Sequence, residues 1–214
     1  MVNYAYVQDR VDYGYGKAAL KIGETVTIYR PSSGINPISG PNVVGVTYLS
    51  YNVDWSYMKA NKPGNAIYQL IIDGHLIQPF DYLVYSKATF YVDEREPIAP
   101  VNGVLCNRIV NITRPIADYS PGANPYGGYE KNNILTIMES APISVLQKGR
   151  GSTNAYKLPL DTKSPGYILM VPALPGVELR IGDLIDDDRG VRIALTNVEK
   201  SEFGFRCLAD SVEV

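Results

Sequence analysis

From position 24 onward the sequence alternates apolar and polar residues in short runs. Each run is cut off by a proline or glycine cluster within about ten residues, the pattern of an all-β chain. Residues 25–30 put Val26 and Ile28 on one side and Thr27 and Tyr29 on the other, and Pro31 stops the run. Further strands are expected over 46–53, 66–72, 81–85, 89–92, 134–138, 143–147 and 167–171. The stretches 191–198 and 203–208 should close a three-strand meander, after a turn at 186–190. Lys62-Pro63-Gly64-Asn65 reads as a turn. Asp73-Gly74 reads as a tight hairpin turn, whose two central positions need a positive φ, with 75–79 as the returning strand. Fifteen Pro and nineteen Gly suit many short strands and exclude a helical bundle. The residues expected inside are Val26, Ile28, Ile71, Leu83, Phe90, Ile112, Ile137, Leu146, Ile193 and Leu195.

Only the start of the chain has helical periodicity. Tyr4, Val7, Val11, Tyr15, Ala18 and Ile22 share one helix face, which predicts a helix over 4–22 stopped by Gly23. That face can cap the protein's own core or dock on a neighbouring subunit. The fold class is therefore mainly β: one or two β-barrel or β-sandwich modules, a short N-terminal helix and long Pro/Gly-rich loops.

One strand pattern occurs twice. Val26-Thr27-Ile28-Tyr29-Arg30-Pro31 recurs as Val110-Asn111-Ile112-Thr113-Arg114-Pro115, and each copy leads into an irregular loop holding an Asn-Pro pair, Asn36-Pro37 and Asn124-Pro125. Internal duplication accounts for this, and so does the general habit of strands to end at proline. The loop 115–131 is the loosest stretch. A boundary there divides the chain into 1–115, the helix plus one β module, and 116–214, a second module, unless the two form one continuous domain.

The chemistry-bearing residues are sparse. A formal net charge of −2 with scattered Lys and Arg gives no electrostatic footprint for nucleic acid or an anionic membrane. No apolar run approaches the roughly 20 residues of a membrane span, and the first residues lack a secretion-signal pattern, so the protein is expected to act in soluble form inside a cell. Cys106 and Cys207 fit that compartment as reduced thiols, and a disulfide between them remains open. With one histidine, any imidazole-based mechanism must run through His75. No nucleophile elbow, phosphate loop or four-ligand zinc set is present. Asp186-Asp187-Asp188 offers carboxylates for Ca²⁺ but lacks a calcium-loop spacing and reads as a solvated turn. No enzyme activity, cofactor or metal is expected.

The order of motifs resembles a family. Tyr13-Gly14-Tyr15-Gly16-Lys17-Ala18-Ala19-Leu20-Lys21-Ile22-Gly23 followed by Tyr29-Arg30-Pro31 is similar to the start of small structural proteins of tailed bacteriophages and prophages. So is the stretch Gln78-Pro79-Phe80-Asp81-Tyr82-Leu83-Val84, then Thr89-Phe90-Tyr91-Val92, Pro97-Ile98-Ala99-Pro100, Cys106-Asn107-Arg108 and Arg114-Pro115. The resemblance covers about residues 13–115, and the pattern often has glycine where Phe80 stands. It implies a virion protein of the tail, baseplate or head–tail connection, assembled in the host cytoplasm. Its partners would be other copies of itself and neighbouring virion proteins. The alternative is a receptor- or carbohydrate-binding module on the virion. The large count of tyrosines, 17 against 4 Phe, fits half-wet contacts between subunits as well as strands. The expected subunit contacts are Tyr4, Val7, Val11 and Tyr15 on the helix and Tyr119, Tyr126 and Tyr129 on the second Arg-Pro loop.

Overall fold

The computed structural model describes residues 4–52, 65–93, 99–116, 134–147 and 166–212. The expected helix forms as α1 (Tyr4–Ile22) and is followed by the strands β1 (Glu24–Tyr29), β2 (Val43–Asn52), β3 (Ile67–Ile71), β4 (Tyr82–Tyr85), β5 (Ala88–Val92) and β6 (Val101–Cys106). These six close into an antiparallel barrel in the ring order β1-β2-β3-β6-β5-β4. A second set, β7 (Arg108–Pro115), β8 (Ile134–Gln147), β9 (Gly166–Val171), β10 (Leu184–Asp187), β11 (Arg192–Ser201) and β12 (Gly204–Ser211), closes in the order β7-β8-β9-β12-β11-β10. Strand for strand, the second ring repeats the first.

The changeover between rings lies at Asn107, not after Pro115. The strand β7, placed in the first module by its sequence position, pairs with β8 and β10 and opens the second barrel. The Arg-Pro pair ends the first strand of each unit rather than the last strand of a module. The loop it introduces lies inside the second unit.

Period-2 alternation fills each barrel. Val26, Ile28, Leu70, Leu83, Phe90 and Val92 point into the first, and Ile112, Ile143, Leu169, Ile185, Ile193 and Leu195 into the second. Two expected core residues are displaced. Ile137 is half-buried and its neighbour Met138 takes the interior place, because a bulge between Ile112 and Thr113 leaves Ile137 unpaired and shifts the side-chain parity. Leu146 is also half-buried, since Ile143 points inward and the alternation carries Leu146 outward. The stretches 134–138 and 143–147, expected as two strands, are one 14-residue strand bent at that irregular region.

Asp73-Gly74 does turn the chain, but no hairpin follows. The strand β3 pairs with β2 and β6, and 75–79 forms no strand. Instead Ile72 and Ile77 drop into the core as the chain crosses one end of the barrel to β4. Burying those two side chains stabilises an irregular crossing over a returning strand.

Candidate functional site

Each barrel is closed by an arginine clasp that its own sequence pattern positions. Arg30, just past β1, reaches Asp81, just before β4: its Nε and Nη2 donate to Oδ1 and Oδ2 at 2.9 and 2.7 Å, and Nη2 also donates to the Leu76 carbonyl at 3.2 Å. The Gln78 N–H donates to Asp81 Oδ2 at 2.8 Å. In the second barrel Arg114 holds Asp183 the same way at 2.7 and 2.9 Å, with Nη2 donating to the Glu178 carbonyl and the Arg180 N–H completing the carboxylate. Both aspartates are buried, and each arginine is held above its ordinary pKa mainly by the hydrogen bonds to its carboxylate. Bidentate pairing of this kind fixes orientation as well as charge.

The residue before each aspartate has a left-handed backbone, Phe80 at φ 65° and Gly182 at φ 90°. Its N–H bonds the carbonyl of the returning strand in both barrels, Phe80 to Val92 and Gly182 to Leu195. Glycine adopts that conformation without cost and phenylalanine does not. Two unrelated strands that merely ended at proline would not share a ring order, a clasp and this turn. The same unit occurs twice in the chain.

The barrels meet through a buried face. Tyr82 and Tyr91, on the outside of β4 and β5, are fully buried, because the second barrel covers them. The Tyr82 hydroxyl donates to the Pro142 carbonyl at 2.9 Å and the Tyr91 hydroxyl to the Phe203 carbonyl at 2.8 Å. Burial pushes both phenols well above their usual pKa. The first Arg-Pro loop joins this contact. Glu139 N–H donates to the Gly34 carbonyl at 3.1 Å and Asn36 N–H to the Glu139 carbonyl at 2.9 Å. A Cβ on Gly34 would stand 2.7 Å from the Ile137 carbonyl and from a Val177 methyl, so only glycine fits there. Part of the first Arg-Pro loop is thus engaged within the chain, at Gly34 and Asn36.

The helix α1 presents Asp12, Gly16 and Ala19 to the barrel. Val7, Val11 and Tyr15 are half-buried beside that stripe, and Tyr4 is 70% exposed, as are Tyr6, Tyr13, Leu20 and Ile22 to a lesser degree. The contacting stripe lies one residue further along than the apolar stripe read from the sequence, because small residues let the helix approach closely. Tyr119, Tyr126 and Tyr129 lie outside the described residues.

No family model, curated protein or solved structure matches this chain.

His75 sits between the helix and the barrel, with Nε2 3.0 Å from Asp9 and Nδ1 2.9 Å from Asp73. Those two carboxylates, Asp73 first, raise its pKa above 6.5. The pairs are largely exposed, and they link α1 to the turn after β3. Cys106 and Cys207 are both free thiols. Burial pushes Cys106 strongly upward and Cys207 up to about 12, which disfavours the nucleophilic thiolate at neutral pH. Two of the three carboxylates of Asp186-Asp187-Asp188 serve the hairpin: Asp187 Oδ1 accepts from the N–H groups of Arg189 and Val191, and Asp186 pairs with Arg192. Among the described residues no group of three His, Cys, Asp or Glu is placed to hold a metal ion. No described helix is long and apolar enough to cross a membrane.

Sequence reasoning missed the two clasps. The signal was available: each Arg-Pro is followed later by an aspartate preceding an apolar pair, Asp81-Tyr82-Leu83 and Asp183-Leu184-Ile185.

Proposed function

We propose that this chain is a non-enzymatic structural subunit of a tailed-phage particle, present in multiple copies in the tail, baseplate or head–tail connection. The observation that carries the reading is the distribution of apolar surface. Tyr4, Tyr6, Tyr13, Leu20 and Ile22 stand exposed on α1, and Val43, Val44, Val46 and Tyr48 on β2, whereas the exposed apolar residues of the second barrel, Ile109, Ile134, Leu135 and Ile181 among them, are spread over separate elements. Single exposed apolar residues are ordinary, whereas several on one helix and one strand mark a contact surface. The motif order over 13–115 supports the phage setting, and two thiols, one half-buried and one buried, whose surroundings disfavour the thiolate fit a building part rather than a catalyst.

Quantitative mass spectrometry of purified particles tests this. The chain should be recovered in a fixed ratio of several copies per particle, at a level comparable to other tail or connector parts. Its absence from intact infectious particles would defeat the reading. A virion-bound chain that assembles normally but binds host glycan or receptor in isolation would transfer the case to the recognition module.

A further inference from the structure

The chain crosses one end of each barrel on its way to the clasp aspartate, and the last residues of the two crossings correspond. Nη2 of Arg30 donates to the Leu76 carbonyl, and Nη2 of Arg114 to the Glu178 carbonyl. The next residues, Ile77 and Leu179, are both buried. The N–H groups after them, of Gln78 and Arg180, donate to Asp81 and Asp183. One residue before these matched contacts stand His75 in the first barrel and Val177 in the second. Both positions receive another element of the chain. Val177 lies against Gly34 of the first Arg-Pro loop, and His75 reaches Asp9 of α1. The second barrel has an apolar contact at this place, and the first has one that can gain or lose a proton.

The geometry at His75 fixes what the ring must carry. Nδ1 lies 2.9 Å from Asp73 Oδ1, and Nε2 lies 3.0 Å from Asp9 Oδ1. An ionised carboxylate only accepts, and a neutral imidazole donates from one nitrogen alone. Both contacts are therefore hydrogen bonds only while the ring is an imidazolium. Asp73 belongs to the same turn and also accepts from the His75 backbone N–H at 3.0 Å, so its bond is the one a neutral ring keeps. Nε2 would then turn a lone pair toward the Asp9 carboxylate, and the link to α1 is lost.

The carboxylates acting on the ring are Asp73 and Asp9, which hydrogen-bond it, and Asp12, which acts through space. Asp12 is buried on α1 and accepts from Gln8 Nε2 at 2.9 Å. A Cβ on Gly16 would stand 3.1 Å from the Asp73 carboxyl, so helix and turn are close there. Two cations of the helix are turned to its own tyrosines, Arg10 over the Tyr6 ring and Lys17 over the Tyr13 ring. Arg30, beside the crossing, is held by Asp81. His75 is thus the cation set among three carboxylates where α1 meets the barrel.

We propose that His75 is a proton-dependent latch between α1 and the first barrel: the imidazolium ties Asp9 to the turn after β3, and loss of one proton unties it. The tie is complete below pH 6.5 and is lost as the pH rises through the raised value of the ring. Its pairs are exposed, so the latch loosens the helix and leaves the barrels folded.

Two measurements on the full chain test it. In the first, NMR of the ring nitrogens follows His75 through its titration. Both nitrogens should be protonated at low pH, and the neutral ring should keep its proton on Nδ1. A neutral ring protonated on Nε2 overturns the proposal, because Asp9 would then remain held. In the second, amide exchange of α1 is compared at about pH 5.5 and about pH 8.5, corrected for intrinsic rates, with β4 and β5 as the reference. Protection of wild-type α1 should fall about two- to fivefold at the higher pH. Asp9→Asn should remove that dependence, since an amide pairs with the ring in either protonation state. His75→Gln should remove it as well. Asp9 is largely exposed, so Asp9→Asn keeps the barrels folded whatever His75→Gln does. Equal protection of wild-type α1 at the two pH values overturns the proposal, and so does a loss that persists in Asp9→Asn.

Discussion

The two barrels have matching interiors and unlike exteriors. The inward pair Leu83 and Phe90 of the first corresponds to Ile185 and Ile193 of the second, each facing the other across the same two strands. All four are buried. One position outward, Tyr82, Tyr91 and Val104 lie in register across β4, β5 and β6, and Leu184, Ala194 and Asp210 lie in register across β10, β11 and β12. The first three are fully buried, whereas Leu184 and Ala194 are half-buried and Asp210 is exposed. Closing a six-strand ring restricts what can point inward, so both copies keep branched or aromatic apolar residues there. Nothing in the ring restricts the outside. The first barrel has put tyrosines there because the second barrel covers them, and the second has a polar residue because no described element does.

The clasps offer the largest test of that comparison. Removing either aspartate leaves an arginine and an oriented loop without their partner, which costs about 3 kcal/mol for a buried pair. Asp183→Ala should cost more than Asp81→Ala, since the Arg114 side chain is 19% exposed and that of Arg30 33%. Urea melts of the two variants measure this directly. Equal stability of either variant and the wild type would show that the clasp does not hold the ring.

The outer faces should respond by smaller amounts. Tyr82→Phe and Tyr91→Phe each delete a hydroxyl that satisfies a carbonyl of the other barrel, for about 1 kcal/mol apiece. Asp210→Ala, at the equivalent place on the second barrel, should stay within about 0.5 kcal/mol. Equal losses at all three positions would mean that the exteriors differ in residue type only, with no difference in use.

The smallest effect belongs to α1. His75 has its folded-state pKa raised above 6.5 by Asp73 and Asp9. Its contribution is therefore complete below pH 6.5 and is lost as the pH rises through the raised value. Because the pairs are exposed, the change should appear as local loosening of the helix rather than as a shift in global stability. An NMR titration of the imidazole should show the raised pKa, and Asp9→Asn should bring it partway back. An unchanged titration in Asp9→Asn would show that the helix is not held at this point.

Much of the fold was legible because its signals are local. The helix stops where Gly23 predicts, the alternation of 25–30 gives β1, and the paired Arg-Pro strands mark the first strand of each unit. What was not legible depends on neighbours. The bulge at Ile137 inverts side-chain parity in a way that alternation alone cannot register. The turn at Asp73-Gly74 has hairpin chemistry, yet the long-range pairing of β3 with β6 decides where the chain goes. Likewise, the helix periodicity is right, but Asp12, Gly16 and Ala19 face the barrel while Val7, Val11 and Tyr15 are only half-buried, because close approach outweighs apolar area at that contact. The inter-barrel role of Tyr82 and Tyr91 could not be read from tyrosine count, since a strand tyrosine facing solvent and one facing another barrel have the same sequence context.

If the chain assembles as proposed, the helix-bearing barrel carries the assembly surface. Hydrogen–deuterium exchange on the free chain and on the assembled particle or oligomer measures this region by region. Slowed exchange on assembly is expected along α1 and residues 43–48 of β2, with β11 and β12 unchanged. Protection gained on β11 and β12, with α1 and β2 exchanging at the same rate in both states, would contradict it.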